Sequence, residues 1–160
     1  MQIYLLRHAI AEVAQAGQSD ADRALTAEGK EKLRRVLRRA AAAGAQPSSI
    51  VSSPLRRAIE TATVAAEALG YKGKIVEWRA LLPEVSPYDV WEEIRRHSEE
   101  PAILLAGHQP QMSAMTACLL GTPALEVDMK KAALVRIDCE RIAREPKGML
   151  KWMLTPAVAD

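Results

Sequence analysis

Short apolar runs rich in Ile, Val and Leu alternate along the chain with longer segments in which apolar residues recur every three or four positions. That alternation predicts an α/β layer fold. The runs predict strands over residues 2–7, 49–52, 74–78, 102–106, 134–139 and 149–154. The last two read as an antiparallel pair that closes the domain, joined by the Glu145-Pro146-Lys147-Gly148 turn.

Four helices fall between the strands. The first begins after Thr26, whose hydroxyl is a good cap, presents Leu33, Val36, Leu37 and Ala40 on one face and stops at Gly44. The second takes Ser53 as its cap with Pro54 in the first helical position, and Leu55, Ala58, Ile59, Ala62 and Leu69 form its stripe up to Gly70. The third starts at Ser86-Pro87, carries Asp89 three residues after the cap, and buries Val90, Trp91 and Ile94. The fourth runs from about Gln111 to Leu120, where Gly121 and Pro123 end it. The expected architecture is a three-layer α/β/α sandwich around a mostly parallel mixed sheet.

A chain of 160 residues is near the usual size of one domain, so residues 1–160 are expected to form one. Hydrophobic residues make up 49% and charged residues 26%, and no stretch is polar enough for a long disordered region. With 22 Lys and Arg against 20 Asp and Glu, the charge balance gives no push toward nucleic acid or membrane. The N-terminal run has no cationic region before it and is interrupted by Arg7-His8, unlike a secretory signal, and the apolar run from Ala102 to Ala106 is far too short to span a bilayer. The expected location is the cytoplasm, where Cys118 and Cys139 are read as two buried thiols without a disulfide.

Candidate chemistry gathers at one kind of place. Arg7-His8, Ser53-Pro54-Leu55-Arg56-Arg57 and Gly107-His108 each follow a predicted strand and precede a helix or turn. In open α/β sheets the carboxyl ends of parallel strands form the ligand crevice, so these segments would deliver two arginines and two histidines to one place. Guanidiniums fork onto phosphate oxygens, helix N-termini add N–H donors, and an imidazole can act as a nucleophile. A phosphoryl group is the natural guest. On the second helix, Arg57 lies roughly 200° from Leu55 and Arg56 about 100° away, so periodicity alone leaves Arg57 on the solvent side.

The chain resembles the histidine phosphatase superfamily, and within it the compact SixA-type phosphohistidine phosphatases. Leu6-Arg7-His8-Ala9 is similar to the strand-terminal Arg-His signature, with Ala9 where glycine is usual. Ser19-Asp20-x-x-Arg23-x-Leu25-Thr26-x-x-Gly29 resembles the segment before the first helix of the SixA-type group. Ser53-x-Leu55-x-Arg57-Ala58 with Thr61 resembles the second signature, and Ala106-Gly107-His108-Gln109-Pro110 the third, with Gln109 where asparagine is frequent. The resemblance spans residues 3 to about 139, with the motifs in the family's order. It implies the histidine-phosphatase, phosphoglycerate-mutase-like fold, His8 as a transiently phosphorylated nucleophile, and Arg7, Arg57 and His108 as phosphate-binding residues, with Arg56 the alternative to Arg57. The resemblance also implies hydrolysis without metal or organic cofactor; no ligand cluster for Zn and no P-loop glycine pattern occurs in the sequence.

The remaining charged residues divide between chemistry and surface. Glu84, on the loop after the third strand, is a candidate general acid or equally a solvated carboxylate. His97, among Arg95, Arg96 and Ser98 at a helix end, is expected to interact with the helix dipole and free carbonyls. Lys30, Arg34, Arg35, Arg38 and Arg39 form a basic face on the first helix, by default solvated and alternatively a docking face for an acidic partner. Expected partners are a phosphohistidine-bearing protein or a small phosphorylated substrate. The rivals are a small-molecule phosphomonoesterase, a sugar-phosphate mutase, disfavoured by the little chain left to shield a phosphoenzyme from water, and a non-catalytic phosphate- or phosphoprotein-binding module, against which an intact His8 speaks.

Overall fold

A computed structural model describes residues 1–159. Six strands, β1 (Gln2–Arg7), β2 (Ser49–Ser52), β3 (Val76–Glu77), β4 (Ala102–Gly107), β5 (Leu134–Asp138) and β6 (Met149–Leu154), form one sheet in the order β3-β2-β4-β1-β5-β6. Strands β3, β2, β4 and β1 run parallel to their neighbours, while β5 runs antiparallel to both β1 and β6.

Strand β1 alternates its side chains between two cores, as the two-residue period of a strand requires. Tyr4 and Leu6 pack with Leu33, Val36, Leu37 and Ala40 of helix α1 (Ala27–Ala42) and Ala62 and Ala65 of helix α2 (Arg56–Ala68). Ile3 and Leu5 pack on the opposite face with Val90, Trp91 and Ile94 of helix α3 (Pro87–Arg96) and Met112, Met115 and Leu119 of helix α4 (Gln111–Leu119). The sheet is thus covered on both sides, the three-layer arrangement expected, and β4 is buried along its whole length.

Caps explain where two helices begin. Thr26 Oγ1 accepts from Gly29 N at 2.9 Å and Ser86 Oγ from Tyr88 N at 3.2 Å, each satisfying an N–H that the first turn leaves without a helical partner. Helix α2 departs from expectation. It starts at Arg56, with Leu55 in the cap position and no side-chain cap, because Ser53 Oγ accepts instead from Leu55 N at 3.3 Å and turns the chain before the helix begins. Its buried face is Arg57, Ala58, Thr61, Ala62, Val64 and Ala65, so Leu55, Ile59 and Leu69 lie only half-buried at its edge.

Two further boundaries differ. Strand β3 keeps two residues of the five expected, because it pairs with β2 alone at the sheet edge and only Val51 and Ser52 remain there to meet it. The β5–β6 connection is the ten-residue segment 139–148, not a tight turn at 145–148. Gly148 ends it by laying its backbone against Ile137 and the Leu119 carbonyl, to which Gly148 N donates at 2.7 Å, where a Cβ would collide. Cys118 and Cys139 are both buried and free. Among the described residues no helix is long and apolar enough to cross a membrane.

Candidate active site

Strand pairing alone brings the three motifs together. Arg7 pairs with Gly107 across β1 and β4, and Ser52 pairs with Ala106 across β2 and β4, so the carboxyl ends of three adjacent parallel strands open at one level. From them emerge His8, whose N–H donates to Gly107 O at 2.9 Å, then His108, then Ser53 and the α2 N-terminus.

His8 and His108 are buried, with ring centroids 5.1 Å apart. His8 Nδ1 lies 2.8 Å from the Ala9 carbonyl. A carbonyl only accepts, so Nδ1 carries the proton and Nε2 keeps its lone pair. Burial is the main reason the His8 pKa falls to about 4, with Arg57, Arg7 and Lys131 adding repulsion against the Ala9 hydrogen bond, so the ring is neutral at pH 7. His108 places Nε2 2.7 Å from Ser53 Oγ, while its buried Nδ1 has no protein partner. Burial first, then the charges of His8, Arg57 and Arg7 against Asp20, lowers its pKa to about 3.

The two arginines are held from outside the cluster. Arg7 Nη1 donates to Met129 O at 2.6 Å, and its buried Nε has no partner. Arg57 is 6% exposed, and both terminal nitrogens meet Asp20, Nη1 donating to the backbone carbonyl at 2.9 Å and Nη2 lying 3.1 Å from Oδ2. Arg56 instead turns outward onto Glu60, 2.8 Å away. Helical periodicity left Arg57 to solvent, yet the segment bearing Asp20 crosses over that side of α2 and covers it.

The sequence reading gave no part in the site's chemistry to four residues that the geometry brings into this constellation, and took one of them, Ser53, as a helix cap. Asp20 sits in a 3-10 turn (Asp20–Asp22), and its hydrogen bond with Arg23, with Arg57 adding, holds its carboxyl below the usual range. Thr61 accepts from Ala9 N at 3.2 Å and donates to Arg57 O at 2.6 Å, tying the His8 turn to the first turn of α2. Ser53 holds His108, and Lys131 acts on His8 through its charge. Asp20, Ser53 and Thr61 lie inside motif segments, which was the available signal; Lys131 lies in none. Gln109, where asparagine is frequent, accepts from Ser113 N at 3.0 Å and so fixes the first turn of α4. Glu84 is exposed in the turn before α3, with no hydrogen bond or ion pair to any of these groups. His97 meets Glu93 O at 2.9 Å at the end of α3, the helix-end contact expected, with its ring tilted 40° against that of Trp78.

The family model of the histidine phosphatase superfamily (branch 1) matches residues 3–86. The chain belongs to that superfamily. An uncharacterized protein of Picosynechococcus sp. is 29% identical over 164 residues, covering 96% of this chain and 99% of that one. Among solved structures, the protein histidine phosphatase SixA complexed with tungstate superposes with a TM-score of 0.85 at 21% identity, covering 98% of both chains. A putative phosphohistidine phosphatase SixA from Agrobacterium tumefaciens follows at 0.82 and 26%, covering 97% of both. Phosphoserine phosphatase from Entamoeba histolytica, a histidine-to-alanine mutant in complex with phosphoserine, shares the fold at 0.71 and 14%, covering 97% of both. The chain is therefore a phosphatase of the histidine phosphatase superfamily, SixA-type in fold.

Proposed function

We propose that this phosphatase, acting as one domain over residues 1–160, removes the phosphoryl group from phosphohistidine on a partner protein. The observation that carries the reading is the fixed tautomer of His8, a neutral nucleophile with its Nε2 lone pair free among Arg7, Arg57 and His108. His8 Nε2 attacks phosphorus in line on a phosphohistidine whose other ring nitrogen carries a proton, the P–N bond breaks with its electron pair going to the ring, and the substrate side chain leaves as neutral imidazole. Arg7, Arg57 and His108 hold the equatorial oxygens, where phosphoryl transfer most needs positive charge. Water then attacks the phospho-His8 phosphorus, the P–Nε2 bond returns its electron pair to the ring, and phosphate leaves with the proton released to solvent.

The leaving group favours this substrate class. Imidazole departs readily because its protonated form has a pKa of about 6.5, whereas an alkoxide needs a positioned acid. Glu84, the sequence candidate for that acid, is exposed and makes no hydrogen bond or ion pair with the cluster. The guanidiniums supply the positive charge a metal would otherwise bring, so activity should persist in a chelator.

The test is a substrate panel with trapping of the intermediate. Wild-type kcat/KM should favour a phosphohistidine peptide over an alkyl phosphate, and quenching without acid should capture alkali-stable, acid-labile phosphate on the protein. The His8→Ala variant should trap none and lose turnover. A preference for the alkyl phosphate would instead support the second reading, a small-molecule phosphomonoesterase, which the fold shared with phosphoserine phosphatase favours.

A further inference from the structure

Beside the histidine pair, and sharing Arg7 with it, lies a cavity of about 410 Å³. Its lining combines apolar residues such as Ile10 and Pro156 with Lys32, Lys130 and Lys131, and among the described residues no acidic side chain lines it. Lys32 and Lys130 each have a partner outside it, Glu28 at 2.5 Å and Asp128 at 2.6 Å. Lys131 is exposed and has no ion pair among the described residues, yet its charge reaches His8.

The loop that presents these lysines is fixed to the catalytic strand. Arg7 N donates to Ala133 O at 3.0 Å, Ala132 N to His8 O at 3.2 Å, and the Arg7 guanidinium to Met129 O. Between them Ala132 is held at φ 63°, a left-handed conformation that an alanine rarely adopts. Lys130 and Lys131 are thereby attached to the same backbone that carries the nucleophile.

We propose that this cavity is a second anion subsite, which takes a carboxylate of the substrate while the phosphoryl group lies against Arg7 and His8. A lining that mixes apolar side chains with lysines suits a carboxylate on a short methylene stem, as in an aspartate or glutamate side chain. Because the two sites meet at Arg7, the second anion must lie close to the first. On a helical substrate the residues three or four positions from the phosphohistidine are its surface neighbours. The inference rests on the phosphohistidine reading for the source of the carboxylate, and on the cavity alone for its recognition.

Two matched substrate pairs test it: phosphohistidine peptides with Glu or Gln four residues from the phosphohistidine, and 4-carboxyphenyl phosphate against phenyl phosphate. Wild-type kcat/KM is expected to favour the carboxylate member by roughly five- to tenfold, the scale of one partly desolvated charge pair. That ratio should fall to near one in Lys130→Ala/Lys131→Ala, and Lys131→Glu should reverse it for a peptide bearing Lys in place of Glu. A ratio in the peptide pair assigns the carboxylate to a protein substrate, and a ratio in the aryl pair alone assigns it to a small molecule. Ratios near one for wild type in every pair that turns over, or equal losses on both members in the lysine variants, would overturn the subsite. Turnover of the aryl pair with neither peptide would overturn the phosphohistidine reading and leave the aryl ratio to decide the subsite.

Discussion

Arg57 shows what a single residue's sequence position does and does not carry. Periodicity assigned it to solvent, while its place before Ala58 in the family motif singled it out; the structure buries it because Asp20, 37 positions earlier, folds over it. No local pattern contains that contact. By contrast Arg7, His8 and His108 were legible, since each stands at a strand end that neighbouring apolar residues define. Arg57→Ala should lower kcat/KM by about 2 to 4 kcal/mol of transition-state stabilisation, while Arg56→Ala, which loses only an exposed pair with Glu60, should change it little. The reverse order in steady-state kinetics would exchange the two roles. Among the described residues Asp20 is the only carboxylate paired with Arg57, so on the proposed phosphate-binding role of Arg57 it would compete with an incoming phosphoryl group for the same fork. Asp20→Asn should therefore tighten inhibition by inorganic phosphate by a few-fold, in keeping with about 1 kcal/mol for an exposed ion pair. A weaker inhibition constant would show that Asp20 orients Arg57 more than it blocks it.

Elements are positioned by a few close approaches, and these set how well their ends can be read. Helices α1 and α3 begin where Thr26 and Ser86 cap them, which the sequence shows directly. The start of α2 was read two residues early, because Ser53 serves the preceding turn and His108 instead of capping. Gly29 governs another approach: α1 rests its first turn on the backbone of Ile10, where a Cβ would overlap the Ile10 carbonyl. Gly29→Ala must push α1 away from the segment that leads from His8 to Asp20. Overpacking of that kind typically costs about 1 to 3 kcal/mol, and a carbonyl yields less than a side-chain tip. Urea unfolding should show the loss, accompanied by lower kcat/KM because the Asp20 segment moves with the helix. A variant as stable as wild type would mean that α1 can shift without strain.

At the scale of the molecule, sheet order creates both the active site and its pH response. Strand β4 enters between β2 and β1, an arrangement that local patterning does not determine, and it brings His108 against His8 within a covered crevice. Two imidazoles sunk beside two guanidiniums must stay neutral, so the folded protein binds protons there less readily than the unfolded chain. Their pKa values fall from 6.5 to about 4 and about 3, so between pH 6.5 and 4 the unfolded state holds more protons than the native one. Stability then rises with pH across that window and falls as pH drops through it, levelling off only below the folded values. Each unit of depression corresponds to about 1.4 kcal/mol, and from pH 7 to pH 5 the two rings together should remove on the order of 3 kcal/mol. Carboxylates such as Asp20, whose pKa is lowered from 3.8, withdraw their contribution only at lower pH, which separates the two causes. Thermal melts at pH 7, 6 and 5 should show Tm falling steadily for wild type and much less for His8→Asn/His108→Asn. If the double variant retained the wild-type slope above pH 5, the buried histidine pair would not be the source of the acid sensitivity.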